Sequence, residues 1–128
     1  MARIEFHPAT TERWPDVEKL FGPRGACAGC WCMWARLPRA EFHAGVGDKN
    51  RRALKRIVGS GEPPGLLAYV NGEPAGWCGF GPRAAYPRLE NSKIMAPVDD
   101  RPAWSVVCFF VARPFRRQGL SVRLLREA

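Results

Sequence analysis

A chain of 128 residues, 46% of them apolar, has room for one modest domain with a real core. No stretch approaches the ~20 apolar residues of a membrane span, and no secretory signal is legible, because Met1–His7 has no long apolar region behind it. Five cysteines, odd in number and with three of them crowded at 27–32, do not form a secreted disulfide framework, so a reduced, cytoplasmic protein is expected. The net charge of +8 invites a nucleic-acid partner, but five arginines and one glutamate in residues 113–128 carry half of it. Neither a recognised module nor stacking aromatics on a basic face accompanies it, so no nucleic-acid role is assigned.

Residues 2–7 alternate enough for a short first strand. A helix is predicted from about Thr11 to Phe21, with Thr10 or Thr11 as cap, Pro15 in its first turn and Gly22 ending it. Trp14, Val17, Leu20 and Phe21 make its apolar stripe. Residues 22–36 read as irregular, rich in Gly, Cys and Trp. Two short helices come next, near 38–44 and 48–58. Asp48 is expected to cap the second, with Leu54, Ile57 and Val58 inward and Lys49, Arg51, Arg52, Lys55 and Arg56 on a solvated face.

Asn71-Gly72 between the apolar runs 65–70 and 73–80 predicts a two-residue hairpin turn. One or two helical turns are expected in 83–90, and a loop over 91–103 with Pro97 and Pro102. The run Trp104–Val111 has almost no polar alternation, which suits a central strand covered on both faces and flanked on both sides. The hairpin can flank it on one side only. A long apolar strand edge is a hazard that native folds cover. Either a second copy or another chain supplies the missing strand, by homodimerisation or strand exchange, or the sequence is the front part of a longer protein. The reading favours truncation.

After that strand comes a basic, glycine-bearing turn, Arg113-Pro114-Phe115-Arg116-Arg117-Gln118-Gly119-Leu120-Ser121, and then a helix expected to start near Gln118. The first N–H groups of a helix lack internal partners, and its dipole places partial positive charge there. A pyrophosphate can bind at such an end where the backbone is closely approached, as Gly119 permits. Leu120, Leu124 and Leu125 would pack this helix on the sheet, with Arg123 and Arg126 outward. The plainer alternative is a strand–loop–helix connection with solvated arginines.

Val111 followed by Arg116-Arg117-Gln118-Gly119-Leu120-Ser121 resembles motif A of the GCN5-related N-acetyltransferases, Arg/Gln-x-x-Gly-x-Gly/Ala. Arg116 and Gly119 match; Ser121 stands where Gly or Ala is usual. Cys30-Trp31-Cys32-Met33-Trp34, Pro97-Val98-Asp99-Asp100 and the 104–111 strand resemble one bacterial branch of that family. The resemblance covers essentially the whole chain as one domain, 1–128. It implies an α/β fold whose mixed, mainly antiparallel sheet is flanked by helices and is incomplete at the C-terminus.

The resemblance further implies acetyl transfer from acetyl-CoA to an amine of a small molecule or peptide. Backbone amides of Arg117, Gln118, Gly119, Leu120 and Ser121 would bind the pyrophosphate, and the backbone of Phe109, Phe110 and Val111 would pair with the pantetheine arm. An amide at this strand end would stabilise the oxyanion. Arg113, Arg116 and Arg117 would attract phosphates. The facing strand and a downstream Tyr acid are missing, and 104–111 holds no Asp or Glu. Asp99 and Asp100 are the nearest acids, read as turn residues, so no catalytic base is assigned and weak turnover is expected.

Cys27, Cys30 and Cys32 form C-x-x-C-x-C, which could hold zinc with Cys78, Cys108, His7 or His43 as fourth ligand. A second C-x-x-C is missing, and Cys30-Trp31-Cys32, if extended, points alternate residues one way. Packing, or a wall of the acceptor pocket with Trp31, Met33 and Trp34, is preferred, and no metal is assigned. Two other classes stay open: a non-catalytic CoA-binding or interaction module completed by a partner chain, and a small zinc-binding protein.

Overall fold

The computed structural model describes residues 2–26, 28–96 and 101–128. Its chain order is β1 (Ile4–Pro8), α1 (Trp14–Phe21), α2 (Arg39–Ala44), α3 (Asp48–Gly59), β2 (Gly65–Val70), β3 (Glu73–Pro82), α4 (Pro87–Glu90), β4 (Trp104–Val111) and α5 (Leu120–Glu127). The strands form one antiparallel sheet in the order β1-β2-β3-β4. Asn71 and Gly72 turn the β2–β3 hairpin at φ +51° and +81°, the left-handed values a tight hairpin needs.

Helices cover both faces of the sheet. On one face α1 lays Trp14, Val17, Leu20 and Phe21 against Leu67, Tyr69 and Trp77, with Trp31, Met33, Phe42, Leu54 and Val58 in the same core. Phe21 is the hub: its ring centroid lies 5.3 Å from those of Trp31 and Trp77 and 6.0 Å from that of Phe110. On the other face Leu120 and Leu124 of α5 cover Leu66, Ala68, Ala75 and Cys78. A small third cluster joins Ala35, Tyr86 and Leu89, with Val107 of β4 packed against it.

Local chemistry differs from expectation at several points. Asp48 is the first residue of α3 and does not cap it; Gly47 holds the cap position, and the Asp48 carboxylate pairs with Arg51 and Arg52 at 2.7 and 2.6 Å. Trp31 and Cys32 are left-handed, φ +49° and +60°, so Cys30-Trp31-Cys32 is a coil and not an extended segment. The helix expected from Gln118 begins at Leu120, and Leu125 is 54% exposed, so it does not share the packing of Leu120 and Leu124.

β4 occupies one edge of the sheet among the described residues. Its apolar run is accordingly half-covered: Trp104, Val106 and Phe109 are exposed while their neighbours are partly buried. The edge expected from counting strands is therefore present. Gly79 pairs with Cys108 but Phe80 pairs with Val106, which leaves Val107 as a bulge that re-aims the strand.

Candidate active site: the open edge of β4 and the turn before α5

Ala112 donates its N–H to the Ala75 carbonyl at 2.9 Å. In an antiparallel ladder opposed residues alternately exchange bonds and turn away. Phe110, opposite Trp77, therefore bonds across the ladder, while Phe109 and Val111 turn their N–H and C=O groups to the open edge. Of the three residues expected to meet an extended ligand, two present their backbone to it and Phe110 contributes through packing. Its side chain lies on the Phe21 face, while Val111 packs on the α5 face.

The Val111 carbonyl is already engaged: Arg116 Nε donates to it at 2.7 Å. The same guanidinium lies over the Phe110 ring, 5.8 Å from its centroid. Arg116 thus ties the turn to the strand end, a role that electrostatic reasoning on the sequence missed. The signal was present, since the motif admits Arg or Gln at this position and both carry side-chain N–H donors.

The turn continues through Arg113–Phe115, a single 3-10 turn, and an extended Arg116 to Arg117 at φ +63°. Gln118 Nε2 donates to the Pro114 carbonyl at 3.2 Å. Gly119 has φ +76° and ψ 12° and forms the N-cap of α5. A left-handed residue followed by helical Leu120 points successive N–H groups into one concavity, an arrangement suited to anions. A Cβ built on Gly119 meets no atom within 4 Å, so the space beside this residue is open. Residues 116–119 and Ser121 are exposed, while Leu120 is buried and anchors the turn. No ion pair among the described residues involves Arg113 or Arg117, which leaves two exposed cations beside the concavity.

α5 seats on Gly76, where a Cβ would come within 3.0 Å of Leu124 and 3.2 Å of Leu120. Gly76 also pairs with Val111. Strand edge, turn and helix are thereby held in one unit, and open backbone donors together with an uncrowded helix start fit a pantetheine arm ending in a pyrophosphate.

The cysteines are packed around β4. A Cβ on Gly79 would fall 2.6 Å from the Cys32 sulfur and 3.4 Å from the Cys108 Cβ, so that glycine makes room for both. The Cys32 sulfur beside it, together with burial, holds Cys108 protonated far above the ordinary thiol range, while the neighbouring Cys108 thiol lowers Cys32. Burial, with Cys32 nearby, pushes Cys78 up to about 11. Cys30 packs at the margin of the same core. Cys27, Asp99 and Asp100 lie outside the described residues. Among the described residues no group of three or more His, Cys, Asp and Glu is placed to hold a metal, and no helix is long and apolar enough to cross a membrane.

Several solved structures share the fold. An aminoglycoside antibiotic 6'-N-acetyltransferase of Acinetobacter haemolyticus aligns over 96% of this chain and 67% of its own, with TM-score 0.57 and 17% identity. A GCN5-related N-acetyltransferase of Ralstonia eutropha aligns over 98% and 72%, with TM-score 0.56 and 16% identity. A Corynebacterium glutamicum protein described as a histone acetyltransferase and related acetyltransferase aligns over 97% and 68%, with TM-score 0.51 and 19% identity. No curated protein matches the sequence. The sequence pattern of the acetyltransferase (GNAT) family matches residues 31–128, three quarters of the chain and all of the β4–turn–α5 unit, and the chain belongs to that family.

Proposed function

We propose that the chain binds acetyl-CoA along the open edge of β4 and in the turn before α5, and transfers its acetyl group to an amine of a small molecule or peptide. The observation that carries this reading is the Gly119-capped start of α5, set by the Arg116–Val111 bond at the end of an unpaired strand edge. Acetyl-CoA supplies an activated thioester. The chain supplies position and electrostatics: the outward backbone groups of Phe109 and the Val111 N–H for the extended arm, and N–H groups from Arg117 to Ser121 for the pyrophosphate.

On this reading the outward Phe109 N–H would stabilise negative charge developing on a carbonyl oxygen at the strand edge. No carboxylate lies on β4, so the acceptor is used as the free amine and proton removal falls to solvent or to groups beyond the strand. Among the described residues β4 is paired with β3 alone, which leaves a ligand on its open edge walled on one side, so weak binding and slow turnover are expected. The single-domain reading of 1–128 and a cytoplasmic location belong to the same proposal.

Calorimetric titration of acetyl-CoA tests the binding half. No detectable heat at millimolar ligand would sink it. Thiol release across a panel of amines then separates an enzyme from a CoA-binding module: binding without release favours the module.

A further inference from the structure

A cavity of about 370 Å³ opens between α2, α4 and the Trp34 segment. Trp34, Arg39, Arg88, Asn91, Ser92 and Met95 line it, together with leucine and proline side chains. It is tied to the candidate active site through one layer of packing. The Arg88 N–H donates to the Ala35 carbonyl at 3.3 Å, and Ala35 and Leu89 belong to the cluster on which Val107, the bulged residue of β4, rests.

Among the described residues no carboxylate lines this cavity, whereas two guanidinium groups do. Glu90, the acid of α4, is engaged by Arg83 at 3.2 Å. Arg88 lies against two rings, its guanidinium carbon 4.5 Å from the Trp34 centroid and 5.7 Å from that of Phe42. Stacked faces leave a guanidinium only its in-plane N–H groups for hydrogen bonding. One of them, Nη2, is buried with no hydrogen-bond partner among the described residues. The in-plane N–H groups that Arg88 still presents, with Arg39 beside it, give the cavity cationic donors, and a planar anion accepting in-plane bonds is their natural complement. Beside it Trp34 and Met95 leave 42% and 39% of their surface exposed, an apolar floor for a carbon skeleton.

We propose that this cavity recognises the acceptor, and that it selects amines carrying a carboxylate next to an apolar or aromatic body. The assignment of the acceptor rests on the acetyltransferase reading; the ligand chemistry rests on the cavity alone.

The test is calorimetric titration of the 128-residue chain, without acetyl-CoA, using N-acetylphenylalanine and its neutral carboxamide as probes. The acid should bind at least about tenfold tighter than the amide, which is ~1.4 kcal/mol. Arg88→Gln should abolish that preference, and Trp34→Ala should weaken both probes. Arg39→Gln, at an exposed position, should reduce the preference and serves if Arg88→Gln fails to fold. Equal affinity for acid and amide, or a preference that survives the foldable Arg variants, would overturn the proposal. Inorganic phosphate competing as well as the acid would also overturn it, since it would mark a general anion patch. Loss of acetyl-CoA binding with an intact acid preference would refute the transferase reading alone; the converse would refute the cavity alone.

Discussion

Gly119 allows backbone conformation and space to be tested separately. Its φ of +76° lies where a side chain costs energy whatever surrounds it, yet a Cβ there would meet nothing within 4 Å. In the free protein the penalty of a substitution is therefore conformational only. A β-branched residue held at this φ should lose ~1–3 kcal/mol, alanine nearer ~1 kcal/mol, and asparagine, which tolerates the left-handed region, less than either. For a domain of this size each kcal/mol shifts the melting temperature by roughly 3–5 °C, so a thermal melt should rank Asn, Ala and Val in order of increasing loss. Acetyl-CoA affinity should not follow that order. All three place atoms in the concavity at the start of α5, so Gly119→Asn should bind the cofactor markedly more weakly while remaining nearly as stable as the parent. Undiminished acetyl-CoA affinity in Gly119→Asn would refute the assignment of this space to the phosphates. Undiminished stability in Gly119→Val would refute the conformational argument.

Other expectations come from the packing and the proton balance. Leu124→Ala, at a fully buried position over Gly76, should cost about 2–5 kcal/mol; chemical denaturation showing less than half a kcal/mol would mean α5 is not anchored there. Arg116→Met should perturb the NMR amide signals of Val111 and Ala112 and weaken acetyl-CoA binding, and unmoved signals would contradict its hold on the strand end. Iodoacetamide at neutral pH should modify Cys30 before Cys78, whose thiol is pushed up to about 11, and Cys108, held protonated far above the thiol range; mass spectrometry finding Cys78 first would overturn that order. Burial, then the 2.6 Å bond to Asp16, raises the Tyr69 phenol above its ordinary value. The folded state thus holds this proton more tightly than the unfolded state. Its contribution is complete below pH ~10 and is lost as pH climbs through the raised value. The stability gap between wild type and Tyr69→Phe should close in strong alkali, and a gap constant from neutral to alkaline pH would contradict this.

Much of the fold was legible because local rules and tertiary packing agree. Asn71-Gly72 can turn only as a tight hairpin, and Trp14, Val17, Leu20 and Phe21 recur at helical spacing and all face the sheet. The strand 104–111 was bounded correctly, and the count of neighbours foretold an open edge. What failed depended on partners remote in sequence. Asp48 is drawn away from capping by two arginines of its own helix, one of which also reaches Glu18 on α1. Leu125 is apolar, but one residue beyond Leu124 the helix has already rotated off the sheet. Trp31 and Cys32 take left-handed angles that no propensity favours. The motif singled out the turn before α5 as a candidate cofactor site, while the Arg116–Val111 bond and the Arg88–Trp34 stack required the folded chain.

Gly76 contributes no group to the chemistry, yet its missing side chain sets how closely α5 approaches the sheet, and its ladder partner is Val111. The spacing between the proposed cofactor turn and the strand edge is therefore fixed by β3. A bulkier residue there would lift the helix like a shim under a hinge, misaligning two otherwise intact halves. Defects mapped to this hairpin should accordingly be interpreted as errors of alignment, and shortening the leucines of α5 should partly repair them.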